Sequence, residues 1–167
     1  MTILPDVLAP GLKIVFCGTA AGTASTRARA YYAGPGNRFW DMLFETGLTS
    51  KRLEPAQFHD VIGYGIGLTD VVKTASGSDA SLPTQAFDPD RLRARILEVK
   101  PGILAFNGKR SAQSFLNASK VEYGSQAAQL GSTALFVLPS TSGAARGFWQ
   151  PQYWHEVAEH VRIGPQR

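Results

Sequence analysis

The sequence predicts an α/β sandwich built on a mostly parallel sheet, and three observations carry that expectation. Short apolar runs alternate along the chain with stretches of helical period, the order that parallel strands and crossover helices require. The apolar runs are near-continuous rather than alternating, as expected of strands covered on both faces. Three of them end in turns of small and polar residues: GTAAGTAS, NGK and PSTSGAAR. In an open parallel sheet a ligand cleft forms beyond the carboxyl ends of the strands, so these turns should build one cleft from three separated pieces of sequence.

The elements follow in order. Leu12 to Cys17 (LKIVFC) reads as a central strand. Gly18 to Gly36 reads as a long loop carrying Arg27, Arg29, Tyr31 and Tyr32. Loops of that length in a compact domain are functional or disordered. Asn37 opens a helix in NRFWDMLFETG, with Phe39, Trp40, Leu43 and Phe44 on one face and Gly47 as its C-cap. A second short helix is expected over Pro55 to Val61, then a strand and its exit over Tyr64 to Val72, then a polar loop from Thr74 to Gln85. Asp88 and Pro89 form a helix start, with the aspartate as N-cap and the proline in the first turn. That helix reaches about Val99 and Pro101 stops it. Gly102 to Phe106 is the next strand, and Asn107-Gly108-Lys109 leads into a helix ending near Asn117. Ala134 to Leu138 is a further strand, and the last helix covers roughly Pro151 to Val161.

A chain of 167 residues, 18% charged and 44% hydrophobic, suits one folded domain spanning 1–167. No apolar run approaches the length of a membrane span, and MTILPDVLAPG lacks a basic-then-apolar signal pattern. A cytosolic protein with no membrane partner is therefore expected. The single cysteine, Cys17, excludes an internal disulfide and any multi-thiolate cluster. Inside an apolar strand it reads as a buried inert thiol rather than a nucleophile. The net charge of +4 is compatible with a polyanionic partner. Arg27, Arg29 and Arg38 bracket the segment after the first glycine turn, and Arg146 follows the small-residue turn near the end. Arg91, Arg93 and Arg95 lie on the helix after Asp88, where a solvated face accounts for them.

Several familiar chemistries are absent. The first turn is not GxGxxG, and Asn107-Gly108-Lys109 lacks both the upstream glycine and the hydroxyl residue of a phosphate-binding loop. In HEVAEH, His155 and His160 are five residues apart, which puts them off the shared helical face a zinc protease needs. No metal site is expected. Trp149, Tyr153 and Trp154 read as core anchors of the last helix, and no histidine stands beside a plausible nucleophile. Tyr31 and Tyr32 keep two readings: one stacks on a base, the other packs into the loop's own core.

Five fragments together resemble the mismatch-specific uracil-DNA and thymine-DNA glycosylases: LAPGLKIVFCG, GPGNRFW, GLTDVV, FNGK and LPSTSGAAR, in that order over nearly the whole chain. The resemblance implies a three-layer sandwich with a mostly parallel four-stranded central sheet and helices on both faces. It implies a monomeric hydrolase that uses no cofactor or metal. Its partner would be DNA containing uracil or a mismatch, from which it removes the flipped-out base and leaves an abasic site. By the same resemblance Tyr32 is the stacking aromatic. The turn residues Gly18, Thr19, Ala21 and Gly22 supply backbone donors, and Ser25, Asn37 and Ser140 lie near the base. Ser142, Gly143, Ala144, Ala145 and Arg146 enter the helix where the base has left, supported by Lys109.

The chain departs from the family at the most important side chain. Where relatives usually read GINPG, with an asparagine that holds the attacking water, this chain reads GTAAG and places Ala20 there. A methyl group cannot orient water. Ser140 stands where many relatives have asparagine, and Ala144 replaces a larger wedge residue found in some of them. Asp70, in GLTDVV, occupies a position where some relatives carry lysine. It either holds the water and stabilises positive charge on the sugar, or it caps a turn or pairs with an arginine. Two further readings of the whole chain remain at this point: a binding protein for damaged DNA that has lost its chemistry, and a nucleotide-binding domain unrelated to repair.

Overall fold

The computed structural model describes residues 2–164; Met1 and residues 165–167, the ends of the expected domain, lie outside the described residues. Five strands form one sheet: β1 (Ile14–Gly18), β2 (Ile66–Asp70), β3 (Ile103–Asn107), β4 (Gly124–Leu130) and β5 (Thr133–Leu138). Their order is β2-β1-β3-β5-β4. The pairs β1–β2, β1–β3 and β3–β5 are parallel, and β4 runs antiparallel to β5 at one edge.

This corrects the expected four strands to five. The extra one, GSQAAQL, carries no apolar run because it is an edge strand with Ser125, Ala127, Ala128 and Gln129 exposed. Its register slips between Ser125 and Gln129. A strand that buries little cannot announce itself by hydrophobicity.

Five α-helices complete the fold: α1 (Thr23–Ala28), α2 (Phe39–Glu45), α3 (Pro89–Val99), α4 (Lys109–Leu116) and α5 (Gln152–Ile163). The strand residues alternate between two cores. Ile14, Phe16, Leu68, Ala105 and Phe136 face Phe39, Leu43 and Trp154. Val15, Cys17, Leu104, Phe106 and Val137 face Leu92, Ile96, Ala112 and Phe115 on the other side. Helices thus cover both faces, and the three-layer sandwich is the one expected from continuous apolar strands. The Asp88 carboxylate accepts from the Arg91 N–H at 3.1 Å, the predicted N-cap.

Other expectations change. The loop after β1 contains α1, whose sequence TASTRA buries only Ser25 and so shows no apolar stripe. The short helix expected over Pro55 to Val61 is present as a 3-10 helix, Pro55–Tyr64, opened by a Glu54–Gln57 capping box. Phe44 faces outward at 42% exposure, with the Arg52 guanidinium 5.8 Å from its ring; Met42 joins the buried side instead. Arg91 does not belong to a solvated face, since it is half-buried and bonded to Asp6 and to the Asp70 carbonyl, each at 3.0 Å. Trp154 is fully buried and stacks on Phe16 at 5.4 Å, while Trp149 and Tyr153 pack partly exposed against the same core. Among the described residues no helix is long and apolar enough to cross a membrane, and no cluster of side chains could hold a metal.

Candidate active site

Strand β1 runs straight into the first turn, and its neighbour β2 ends beside it, with Gly18 opposite Asp70. The turn is fastened through its carbonyls. Those of Gly18, Thr19 and Ala21 accept from the N–H groups of Val71, Val72 and Gly77 at 3.0, 2.8 and 3.0 Å. The N–H groups of Thr19, Ala20 and Ala21 donate no hydrogen bond to any described residue. A turn whose acceptors are spent and whose donors are free offers positive dipoles to whatever enters above it. Ala20 is half-buried and contributes a methyl group only.

The tyrosine pair divides. Tyr31 is buried; its hydroxyl donates to the Pro5 carbonyl at 2.9 Å and accepts from Lys73 Nζ at 3.1 Å. Tyr32 keeps part of its ring open and stacks the other side on Phe39 at 4.0 Å. Its backbone sits in the left-handed region at φ 53°, an uncommon conformation for a bulky residue. The Tyr32 hydroxyl is buried without a well-formed hydrogen bond. Asn107 still favours its anionic form, but that amide is already engaged elsewhere, so burial dominates and raises the phenol well above its usual range, helped by Asp70. Ser25 and Asn37 shape this wall from behind. Ser25 Oγ accepts from the Ala33 N–H at 3.0 Å, and Asn37 Oδ1 accepts from the Phe39 N–H at 3.0 Å at the start of α2.

Asp70 is 4% exposed, and its carboxylate lies over the bare face of Gly18. A Cβ placed on Gly18 would stand 2.6 Å from Asp70 Oδ1 and 3.1 Å from the Tyr32 hydroxyl. Glycine is therefore required here so that carboxylate and phenol can converge at the floor of the cleft. Burial pushes the Asp70 carboxyl up to about 6; Lys73 and Arg91 oppose the rise and Asp6 adds to it. The side chain neither caps a turn nor pairs directly with an arginine. Its nearest cation is Lys73, at 3.9 Å from Oδ2, and Arg91 bonds only its backbone carbonyl. Cys17, beneath the same floor, is fully buried, and desolvation raises its thiol, so it is the inert thiol expected.

The opposite wall is the loop after β5. Asn107 at the end of β3 grips it with two bonds, from its amide to Thr141 Oγ1 at 2.9 Å and from the Thr141 N–H to its carbonyl at 3.0 Å. Asn107 escaped sequence reasoning although it lies in the FNGK fragment; a buried polar residue ending an apolar strand was its signal. Ser140 Oγ accepts from the Ser142 N–H at 3.2 Å, and Ser142 Oγ accepts from the Ala144 N–H at 3.2 Å. These bonds start the 3-10 helix Gly143–Phe148, which carries Ala144, Ala145 and Arg146 past the turn at Pro35 and Gly36. Phe148 ends it at 70% exposure, the most exposed large apolar side chain described. Its neighbour Trp149 turns inward beneath the Arg38 guanidinium at 4.9 Å. Lys109 begins α4 at the rim, with its ammonium 4.5 Å from the Tyr123 ring.

All these pieces line one open cavity of about 870 Å³: Gly18 to Gly22, Ser25, Tyr32, Asn37, Asp70, Lys109, and Ser140 with Ser142 to Arg146. Ser78 and Asp79 from the polar loop, and Phe148, complete the rim. The fold is shared with the solution NMR structure of a "putative Uracil DNA glycosylase" from Methanosarcina acetivorans. The two agree with a TM-score of 0.66 at 22% identity, over 95% of this chain and 96% of the other. Residues 5–161 match the model of the family described as "Uracil DNA glycosylase superfamily". A cleft at the carboxyl ends of β1, β2, β3 and β5, on a fold of this kind and with a family match across almost all its length, identifies the chain as a member of the uracil DNA glycosylase superfamily of DNA repair hydrolases.

Proposed function

We propose that the chain is a monofunctional uracil-DNA glycosylase that hydrolyses the N-glycosidic bond of a base flipped out of DNA and leaves an abasic site. Other deaminated or mismatched bases are further substrates. The observation that carries the reading is the convergence of Asp70, the ring of Tyr32 and the free amides of the first turn on one cavity, with Arg146 at its mouth.

The chemistry follows from those positions. Flipping costs a few kcal/mol, least at a mismatch. The open face of Tyr32 stacks on the extruded base, a contact worth on the order of 1–3 kcal/mol. As the glycosidic bond lengthens, negative charge grows on the base, and the free N–H groups of Thr19, Ala20 and Ala21 in the cavity lining receive it. Positive charge grows on the sugar, and the ionised Asp70 carboxylate faces it. Asp70 also holds the attacking water, whose oxygen bonds to the anomeric carbon while its proton passes to the carboxylate. The base departs as the anion and takes a proton from solvent. Asp70 thereby does the work that Ala20 cannot.

Phe148 and the exposed Arg146 line the mouth, where a duplex would lie. Phe148 offers the bulk that Ala144 lacks for filling the gap left by the base.

Uracil-containing duplex incubated with the protein, then treated with alkali, tests the reading. Strand breaks at uracil are the expected result. Retarded but intact DNA would replace the enzyme with a binding protein, and ATP or NAD binding without DNA affinity would remove both.

A further inference from the structure

Behind Asp70 lies a buried cation held between two carboxylates. Lys73 is 8% exposed, and its ammonium is 3.0 Å from Asp6 Oδ1, 3.1 Å from the Tyr31 hydroxyl and 3.9 Å from Asp70 Oδ2. Asp6 comes from the N-terminal segment, which is anchored to β2 through the Val7–Leu68 bridge. The Asp6 carboxylate also accepts from Thr69 Oγ1 at 2.7 Å and from Arg91 Nη1 at 3.0 Å. Asp6 is therefore fully satisfied, whereas Asp70 has only a share of one cation and points its carboxylate into the cleft.

We propose that Lys73 is a positioning residue that keeps Asp70 ionised at neutral pH, and that Asp6 sets how much of the Lys73 charge Asp70 receives. The proposal rests on the reading of Asp70 given above. Burial alone opposes the charged form of a carboxylate, and an opposite charge within about 4–6 Å restores it by roughly 1–3 pH units. Among the described residues, Lys73 is the one ammonium that faces Asp70. The other groups facing it are Asp6 from the N-terminal segment, Arg91 from α3, Tyr31 and Tyr32 from the loop after α1, and Cys17 from β1. Tyr31, Tyr32 and Cys17 are all shifted upward, so they stay neutral near pH 7. Arg91 gives its side-chain bonds to Asp6 and to a carbonyl. Arg91 favours ionisation as well, after Lys73 and Asp6, so Lys73 and Asp6 are the two strongest opposed influences on the Asp70 charge. Lys73 favours ionisation and Asp6 disfavours it, both directly and by drawing Lys73 0.9 Å closer to itself than to Asp70.

The opposite signs give the test. The Asp70 carboxyl is titrated by carbon NMR in the free protein, and the acid limb of single-turnover uracil excision is measured alongside it. Lys73→Met should move both midpoints up by about one pH unit, costing roughly fivefold in rate near pH 6 while sparing the plateau at high pH. Lys73→Arg should restore the midpoint. Asp6→Asn should move both midpoints down by a similar amount. A purely structural role would lower the melting temperature in both variants and leave the midpoints in place, and that result overturns the proposal. If Lys73→Met does not fold, the downward shift in Asp6→Asn decides alone. Should the NMR midpoints move as stated while Asp70→Asn still excises uracil at the parent rate, the role of Asp70 fails and the electrostatic assignment stands.

Discussion

Gly18→Ala tests the geometry of the cleft floor with a single methyl group. The added Cβ would stand 2.6 Å from Asp70 Oδ1, where ordinary contact begins at 3.4 Å, so about 0.8 Å must be found. The backbone cannot yield it, because β1 is paired on both sides and the Gly18 carbonyl holds the Val71 N–H at 3.0 Å. The Tyr32 hydroxyl, at 3.1 Å, blocks the other direction. The carboxylate must therefore turn away. Overpacking of this kind costs roughly 1–3 kcal/mol of stability, which leaves a folded protein. Displacing a catalytic group by about 1 Å costs on the order of 100-fold, equivalent to about 2.7 kcal/mol of transition-state stabilisation. Single-turnover excision from uracil duplex reads the rate, and thermal unfolding confirms the fold. The Gly18→Ala, Asp70→Asn double variant should be no slower than Asp70→Asn, since both changes disable one group. Parent-rate excision by Gly18→Ala with unchanged melting would refute the placement of the chemistry over Gly18.

Four other outcomes are expected. Wild-type excision should fall away below about pH 6, because the Asp70 carboxyl pushed up to about 6 must be ionised to act. The same burial makes the charge a stability cost. Folding binds the Asp70 proton more tightly than the unfolded chain does, so this residue's contribution is neutral well below 3.8, grows unfavourable as pH rises from 3.8, and is fully unfavourable above about 6. Asp70→Asn should then gain up to about 3 kcal/mol in urea unfolding at neutral pH, the gain vanishing near pH 3 while excision is lost by 100-fold or more; an equal gain at both pH values would contradict the assignment. Asn107→Ala should cost about 1–3 kcal/mol by stranding the Thr141 N–H and should loosen the Ser142–Phe148 loop, seen as faster protease nicking there. Phe148→Ala should leave melting unchanged, since the ring is 70% exposed, yet weaken binding to uracil duplex by roughly 5- to 100-fold in a retardation assay.

The strands β1, β3 and β5 were legible because each is buried on both faces and so spells a near-continuous apolar run, while β2 (IGLTD) was read as a strand within the longer Tyr64–Val72 segment. The edge strand β4 and the small helix α1 were not, because neither buries an apolar stripe. Tyr31 and Tyr32 kept two readings in the sequence; what sets Tyr32 apart, a left-handed backbone and a ring stacked on Phe39, appears only in the folded chain. The two readings of Asp70 could not be separated in one dimension. What surrounds it, the bare face of Gly18 and a Lys73 shared with Asp6, is assembled only in three dimensions.

From its letters alone, the chain determined a mostly parallel α/β sandwich and the small-residue turns at its strand ends. Periodicity and residue type suffice for that, since both act over neighbouring residues. Tertiary structure decided which of those turns share a hollow and which charges meet beneath it. Asp6 reaches Arg91 across 85 residues and Thr69 across 63, and the ionisation of a buried carboxylate depends on such distant neighbours. Electrostatic energy is set by separation in space, which the order of residues does not state.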